Sequence, residues 1–170
     1  MYSDARRRLA AAQLELVRAL VSNEIAPAEF DNSRIQATAD ALLLKRAHAV
    51  AGAWPSLARS LGSAFDDRFA LYSRSRPVVQ EGGPLADGRA FARELARAGA
   101  VQDDVALETL AFDLRHRVSS DRVIARRGFS FGASLLKQPL RCIIGIRIPL
   151  LRERWISIPL TIFFETPRAR

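Results

Sequence analysis

The sequence predicts an α+β protein, in which an N-terminal bundle of about six helices is followed by a three-stranded antiparallel sheet. Two observations carry this prediction. Up to about residue 118, apolar residues recur at three- and four-residue spacing, as on the buried face of a helix. From about residue 128 the period becomes two, as in a half-buried strand. The chain therefore divides into a helical domain, residues 1–118, and a basic β-meander domain, residues 119–170.

The longest predicted helix is the central one. Ser33 and Gln36 have the spacing of a capping box, in which each side chain satisfies a backbone N–H of the first turn. Pro55 disfavours helical geometry at Trp54, so the helix should end there. The other helices are predicted from Ser3 to about Val21, over residues 55–61, from Ser63, over residues 87–98, and from Asp103 or Asp104 to about Val118.

Three strands are predicted after the helices: Gly128 to Leu136, a second strand that ends at Pro149, and Trp155 to Phe164. In the second strand Cys142, Ile144, Ile146 and Ile148 share one face, while Arg141, Ile143, Gly145 and Arg147 share the other. Cys142 alternates with isoleucines and is expected to be a core thiol. Pro159 cannot donate a ladder hydrogen bond, so the third strand should lie at an edge or bend there.

The positive charge of the chain is concentrated in its C-terminal third. The net charge is +8, but residues 1–117 hold 16 Lys and Arg against 15 Asp and Glu, whereas residues 118–170 hold 10 against 3. This asymmetry favours an acidic partner for the sheet, either a nucleic acid, an acidic peptide or an acidic protein surface. The alternative is that solvated arginines only keep an apolar sheet soluble.

The sequence contains no recognisable enzyme signature, and we expect neither a metal site nor a cofactor. His48 has no histidine or carboxylate three or four residues away on its helix, and His116 lies between two arginines. The one cysteine, Cys142, excludes an intramolecular disulfide and favours a cytoplasmic location. The longest nearly apolar run is about half the length that spans a bilayer, so no membrane association is expected.

The helical part resembles a family of small bacterial proteins. The resemblance rests on Phe30-Asp31, Arg34, Ala41-Leu42-Leu43, Lys45-Arg46-Ala47, Val50, Trp54-Pro55-Ser56-Leu57 and Phe91-Ala92-Arg93-Glu94-Leu95. The late stretches Arg126-Arg127-Gly128-Phe129 and Arg147-Ile148-Pro149 agree with it. Members of this family have a helical N-terminal part that is sometimes labelled a putative DNA-binding domain. In layout they are similar to the accessory subunits of multinuclear non-haem iron-dependent oxidative enzymes, such as the partner subunit in methanobactin biosynthesis.

The resemblance implies a non-catalytic partner that docks on an iron-dependent oxidative enzyme and helps to present a ribosomally made precursor peptide. From physical reasoning we expect the peptide at a free sheet edge, first at the third strand and otherwise at the first. The residues predicted to bind it are Arg126, Arg127, Arg141, Arg147, Arg152, Arg154 and Trp155. The alternative function is DNA binding by the basic C-terminal region, although no arginine-rich recognition helix is visible.

Overall fold

The computed structural model describes residues 2–22, 27, 30–74, 76, 82–119, 122–149, 151 and 153–160. The helices are α1 Tyr2–Ser22, α2 Asn32–Ala53, α3 Pro55–Leu61, α4 Phe65–Ser73, α5 Gly83–Arg97 and α6 Asp103–Arg115, with a 3-10 turn, Gly62–Ala64, after α3. The strands are β1 His116–Ser119, β2 Arg122–Ala125, β3 Ser130–Lys137, β4 Leu140–Arg147 and β5 Arg154–Pro159. Arg152 and the predicted end of the third strand, residues 161–164, lie outside the described residues.

The α+β class and the three-stranded antiparallel sheet are confirmed. β3, β4 and β5 form this sheet with β4 in the centre, and a separate antiparallel pair, β1–β2, adds a second sheet that the sequence did not predict. The prediction of about six helices in one bundle is not exact. α1 lies on α2, and α6 packs against β3 and β4 as well as against α3 and α5, so the last helix belongs to the sheet as much as to the bundle.

The ends of α2 show one wrong and one correct prediction. The N-cap is Asp31, whose carboxylate accepts hydrogen bonds from the backbone N–H of Ser33 at 2.9 Å and from the Ser33 hydroxyl at 2.7 Å. The predicted capping box of Ser33 and Gln36 is therefore wrong, because the carboxylate two residues earlier takes the unpaired N–H. The C-terminal stop is confirmed, since the helix ends at Ala53 and Pro55 begins α3.

The helical core closes around Trp54, at the junction of α2 and α3. The indole lies 5.0 Å from the Phe112 ring of α6 between centroids, and its Nε1 donates to the Leu85 carbonyl at 3.1 Å. Gly88 of α5 lies directly against the indole, where a Cβ would come within 2.1 Å of the ring. Trp54 thereby links the junction of α2 and α3 to α5 and α6. The other large buried side chains of this core are Val50, Leu57, Phe65, Phe69, Tyr72, Phe91, Leu95 and Val105.

One ion pair is buried beside this core. The Asp87 carboxylate of α5 accepts two hydrogen bonds from Arg46 of α2, from Nε at 2.6 Å and from Nη2 at 2.7 Å. The side chains are 14% and 5% exposed for Arg46 and Asp87 respectively. The Arg46 guanidinium also lies 5.6 Å from the centroid of the Phe69 ring. The pair therefore fixes α2 against α5 through a bidentate contact that is largely shielded from water.

Helix α6 contributes to two cores. Val105 and Phe112 are buried in the helical core, whereas Leu110 and Leu114 pack on the sheet against Leu136 and Ile143. Two strand glycines allow the close approach: a Cβ at Gly132 would come within 2.8 Å of Leu110, and one at Gly145 within 2.6 Å of Leu114.

The beginning of α6 is tied to the turn between β3 and β4. The Asp103 carboxylate accepts hydrogen bonds from the backbone N–H groups of Lys137 at 2.9 Å and Gln138 at 3.1 Å. Asp103 or Asp104 was the predicted cap of this helix, but Gln102 is at the N-cap position and has no side-chain cap bond. The carboxylate of Asp103 is used instead to link helix and sheet.

The predicted end of α6 at about Val118 is wrong. The helix ends at Arg115, and residues 116–119 form β1, which pairs with β2 in the register His116↔Ala125 to Ser119↔Arg122. Val118 and Val123 are partly buried against the helical core. Each strand has only four residues, which is too short for a period of two to stand out from the helical pattern before it.

The predicted core position of Cys142 in β4 is also wrong. Ile143 and Gly145 face α6, while Ile144 and Ile146 lie on the opposite face of the sheet. Cys142, on that opposite face, is half-buried and is not a core thiol. Both faces of the strand carry isoleucine, and the helix packs where Gly132 and Gly145 leave room for its leucines.

Candidate functional site

Four of the predicted arginines lie at one end of the three-stranded sheet. Arg147 ends β4, Arg154 begins β5 opposite the end of β4, and Arg126 and Arg127 come just before β3. Because the strands are antiparallel, these positions share one end even though they are up to 28 residues apart in sequence. We call this the basic end of the sheet.

Two of these arginines are engaged with the backbone. Arg126 Nε donates to the carbonyl oxygens of Asp113 at 3.0 Å and His116 at 3.2 Å, at the C-terminal end of α6 where helix carbonyls are unpaired. Arg147 Nη1 in turn donates to the Arg126 carbonyl at 2.6 Å. These contacts fix the segment that enters β3. Arg127 and Arg154 are exposed, so their guanidinium groups are accessible to a partner.

Arg141 lies apart from the basic end, and Trp155 lies next to that end on the side of the sheet that faces α6. Arg141 is at the opposite end, paired with Leu136 and Pro159, and its Nε is buried with no hydrogen-bond partner among the described residues. Trp155 stands over Gly145, on the side of the sheet that faces α6. It lines a groove of about 500 Å³ together with Ser56, Asp104, Leu107, Glu108, Ala111 and Ile143. The structure therefore does not bring all the predicted residues into one site.

A shallow basic cleft lies at the base of the β1–β2 hairpin. It has a volume of about 490 Å³ and is lined by Arg117, Ile124, Ala125, Arg126, Arg127, Gly128 and Phe129. Phe129 is exposed, and its ring lies 6.2 Å from that of Phe131 between centroids. The sequence identified the Arg126-Arg127-Gly128-Phe129 part of this cleft. It did not include Arg117, because that residue was assigned to the end of a helix.

One carboxylate offsets part of the charge at this end. Glu153 accepts hydrogen bonds from Arg115 Nε at 2.6 Å and Nη2 at 2.8 Å. The hydrogen bond from Arg115 holds the pKa of Glu153 below its ordinary value, with smaller contributions from the charges of Arg115 and Arg147. Glu153 is thus ionised at neutral pH and paired with Arg115.

The two outer strands leave different free edges. Leu160 N donates a hydrogen bond to Leu140 O, so Leu140 and Leu160 form a hydrogen-bonded pair. Hydrogen-bonded and non-hydrogen-bonded pairs alternate along an antiparallel ladder. Pro159 is the next residue, so its nitrogen faces away from β4, towards the free edge of β5, where it offers no N–H. On β3 the outward backbone groups belong to Phe131, Ala133, Leu135 and Lys137, and Asp103 already takes the N–H of Lys137.

The two histidines lie in different surroundings. His48 is exposed, and His116 stacks on Phe112 with ring centroids 4.8 Å apart. Among the residues that the structure describes, no three His, Cys, Asp or Glu side chains are grouped so that they could hold a metal ion. Within the same residues, no helix has the length and apolar character needed to cross a bilayer.

The comparison with protein families gives a match over the helices. The SCO6045-like, C-terminal domain family matches residues 10–97, which is more than half of the chain. The chain belongs to this family. The family region covers most of α1 and all of α2 to α5, and it ends before α6.

A relative places such a segment in a much longer protein. The chain is 38% identical over 99 residues to a UPF0276 protein of Streptomyces avermitilis. The match covers 58% of this chain and 20% of that protein, so the chain spans about a fifth of the length of the curated relative it matches. No solved structure matches the chain.

Within the SCO6045-like region, α1 has an apolar stripe on its outer side. Ala19 of α1 faces α2 and is buried. On the outer side of the helix Leu14, Val17 and Val21 are exposed, and the exposed fraction of Val17 is 53%. A pocket of about 340 Å³ opens beside the stripe, between α1, α2 and α4. Its apolar wall consists of Leu20, Val21, Ala39, Leu42 and Leu43, and its polar groups come from Gln36, Asp40, Arg46, Ser73 and Arg74.

Proposed function

We propose that this SCO6045-like chain is a non-catalytic accessory subunit. In this role it docks on a multinuclear non-haem iron-dependent oxidative enzyme and helps to present a ribosomally made precursor peptide. The observation that carries the proposal is the exposed apolar stripe of Leu14, Val17 and Val21 on α1. Exposed apolar stripes of this kind mark protein–protein contact sites. The stripe lies in the family region, and a homologous segment occurs within a longer chain, which supports a contact with another folded unit.

The docking step is tested by co-purification with an iron-dependent oxidative enzyme encoded nearby. Val17→Glu places a charge in the middle of the stripe and should abolish co-elution in size-exclusion chromatography. The matched control is Leu71→Glu on α4, because Leu71 is also an exposed helical residue, at 70%. Equal loss in both variants, or co-elution of the Val17 variant with the enzyme, would remove α1 as the docking helix.

The peptide is proposed to add a strand to the free edge of β3. Phe131, Ala133 and Leu135 present outward N–H and C=O groups there, whereas Pro159 removes a donor from the edge of β5. The nearby Arg127 and Arg154 favour acidic residues in the peptide, and salt weakens this attraction. The first expectation from the sequence, an edge at the third strand, is therefore replaced by the fallback at the first.

A fluorescence-anisotropy titration with an acidic precursor peptide tests this step. Arg127→Glu and Arg154→Glu should each weaken binding, while Arg18→Glu on α1 should leave it unchanged. Equal effects at all three positions would exclude a site at the sheet, and binding without salt dependence would exclude the arginines as its anchors.

A second candidate function is DNA binding, favoured by the basic cleft of Arg117, Arg126 and Arg127 beside the exposed Phe129. Contacts from three arginines to phosphates would give a slope of about −2.7 in a plot of log affinity against log salt. A gel-shift titration of duplex DNA measures this slope. Failure to shift DNA at low salt would eliminate the candidate, and the peptide titration would be unaffected by that result.

A further inference from the structure

The face of the sheet that points away from α6 is apolar and open. Cross-strand pairs place Phe131 beside Ile146, Ala133 beside Ile144, and Leu135 beside Cys142. β5 continues the same face with Ile156 opposite Ile144 and Ile158 opposite Cys142. The members of this open face are Phe131, Ala133, Leu135, Cys142, Ile144, Ile146, Ile156 and Ile158.

These side chains form one continuous patch across three strands. Phe131 is 75% exposed and Leu135 is 56% exposed, and Ile156 and Ile158 are exposed as well. In the described ranges, no helix or strand lies over this face, because α6 packs on the other side. An apolar patch of this extent is uncommon on the surface of a soluble monomer and marks an interaction site.

The charges around the open face specify the sign of its partner. Lys137 and Arg154 stand on this face at diagonally opposite corners, since Lys137 pairs with Leu140 and Arg154 with Ile146. β3, β4 and β5 contain no acidic residue. A second copy of the chain that placed its cationic corners against these would be opposed by repulsion, and its strands would offer no carboxylate to pair with them. A partner with carboxylates at both ends is favoured.

The dimensions of the face specify the shape of the partner. The two cationic corners are separated by six residues along the strands and by two strand spacings, which gives a diagonal of about 22 Å. An α-helix covers that distance in about 15 residues. The opposite face carries one helix, α6, which has 13 residues and packs on β3 and β4. A helix of similar length can therefore lie along a face of this sheet.

We propose that the open face of the sheet binds one amphipathic helix of a partner protein, with apolar residues along its inner side and acidic residues near both ends. This site is distinct from the free edge of β3, since it is built from side chains and requires no added strand. It does not depend on the proposed role as an accessory subunit. A helix docked here would complete a three-layer arrangement of helix, sheet and helix around β4.

The test uses the full chain and two synthetic probes of about 15 residues, held helical by side-chain cross-links. Both probes have leucines along one face; one has glutamates near both ends, and its twin has lysines there. Binding is followed by NMR of the isoleucine δ1-methyl groups. We expect the acidic probe to shift the signals of Ile144, Ile146, Ile156 and Ile158, to leave Ile35 unchanged, and to bind at least tenfold more tightly than the basic twin.

The Cys142 thiol allows a second measurement of helix binding to the open face. Cys142 is the one cysteine of the sequence and lies half-buried on the open face, between Leu135 and Ile158. A helix across the face should slow alkylation of this thiol at least tenfold at saturating acidic probe. A peptide at the free edge of β3 leaves the thiol uncovered, so the two modes of binding are distinguished.

Matched variants separate side-chain contact from loss of fold. Ile156→Thr should weaken the acidic probe at least tenfold, whereas Ile124→Thr, at a similarly exposed strand position in β2, should not. An unchanged Ile143 methyl signal verifies that the sheet still packs on α6. Three results would overturn the proposal: equal affinity for both probes, equal effects of the two threonine variants, or a homodimer of the free chain that Ile156→Thr dissociates. None of these results bears on co-elution with an oxidative enzyme.

Discussion

Removal of the Asp87 carboxylate is expected to destabilise the chain more than any change on its surface. Asp87 accepts both of its strong hydrogen bonds from Arg46, and the two side chains are almost fully removed from water. Asp87→Ala leaves the guanidinium buried without its counter-charge, in the position where it also contacts Phe69. The loss therefore includes the desolvation penalty of an unpaired cation as well as the hydrogen bonds.

Breaking a buried pair from one side costs about 3–5 kcal/mol of unfolding free energy. In a chain of this size each kcal/mol corresponds to about 2–4 °C in the melting temperature, so we expect a decrease of about 6–20 °C. Arg46→Met should lower the free energy of unfolding by a similar amount, because it leaves the Asp87 carboxylate buried without its cation. Replacement of both residues, Arg46→Met with Asp87→Leu, should cost much less than the sum, since neither charge is then left alone.

Urea denaturation of the four proteins, followed by circular dichroism, gives the coupling free energy of this cycle. A value above about 2 kcal/mol is the expected result. Additive effects of the two single substitutions, within about 0.5 kcal/mol, would show that the pair does not act as a unit and would refute the reasoning. A change of slope in the denaturation curve would invalidate the comparison, and the slope is obtained from the same data.

Two further predictions concern packing and pH. Gly88→Ala should destabilise the chain by about 1–3 kcal/mol, because the added Cβ would collide with Trp54. Gly52→Ala in α2 has open space around it and should stabilise the chain by up to about 1 kcal/mol. Thermal melts measure both changes, and destabilisation by both substitutions would contradict the packing argument. The lowered pKa of Glu153 means that its pair with Arg115 stabilises the fold above the ordinary pKa of 4.5 and that this contribution is lost as the pH falls below that value. Because Arg115 is about half exposed, the effect should be below about 1 kcal/mol, and it should be absent from the pH dependence of Glu153→Gln.

The helical half of the fold could be predicted because its signals are local. Pro55 removes a donor and restricts Trp54, and this is enough to place the end of α2. The beginning of α2 was misplaced by competition between neighbours, since Asp31 and Ser33 can both cap and only the fold shows which one does. The β1–β2 hairpin was missed because its four-residue strands are specified by burial of Val118 and Val123 against the core, which is not a local property.

The candidate site could be predicted only in part. Charge counting located the basic third of the chain, but linear spacing could not show that Arg154 lies at the same end of the sheet as Arg127 while Arg141 lies at the other end. Nor could alternation decide which side of β4 is buried, because isoleucine occurs on both. The deciding residue was Gly145, whose missing side chain admits Leu114 of α6. A glycine in a strand indicates such a close approach, and its helix partner is set by the tertiary fold.

The contribution of α6 to both the helical core and the sheet core has a consequence for proteins that carry only the family region. The SCO6045-like region ends at residue 97, yet Val105 and Phe112, which lie beyond it, fill part of the core around Trp54. A gene fragment that ended at that boundary would encode most of α1 and helices α2 to α5. Its core would have an unfilled apolar cavity at the position of α6. In a longer protein that carried this fragment alone, another apolar segment would have to fill that space, and such a replacement would change the surface that carries the sheet without altering the family region.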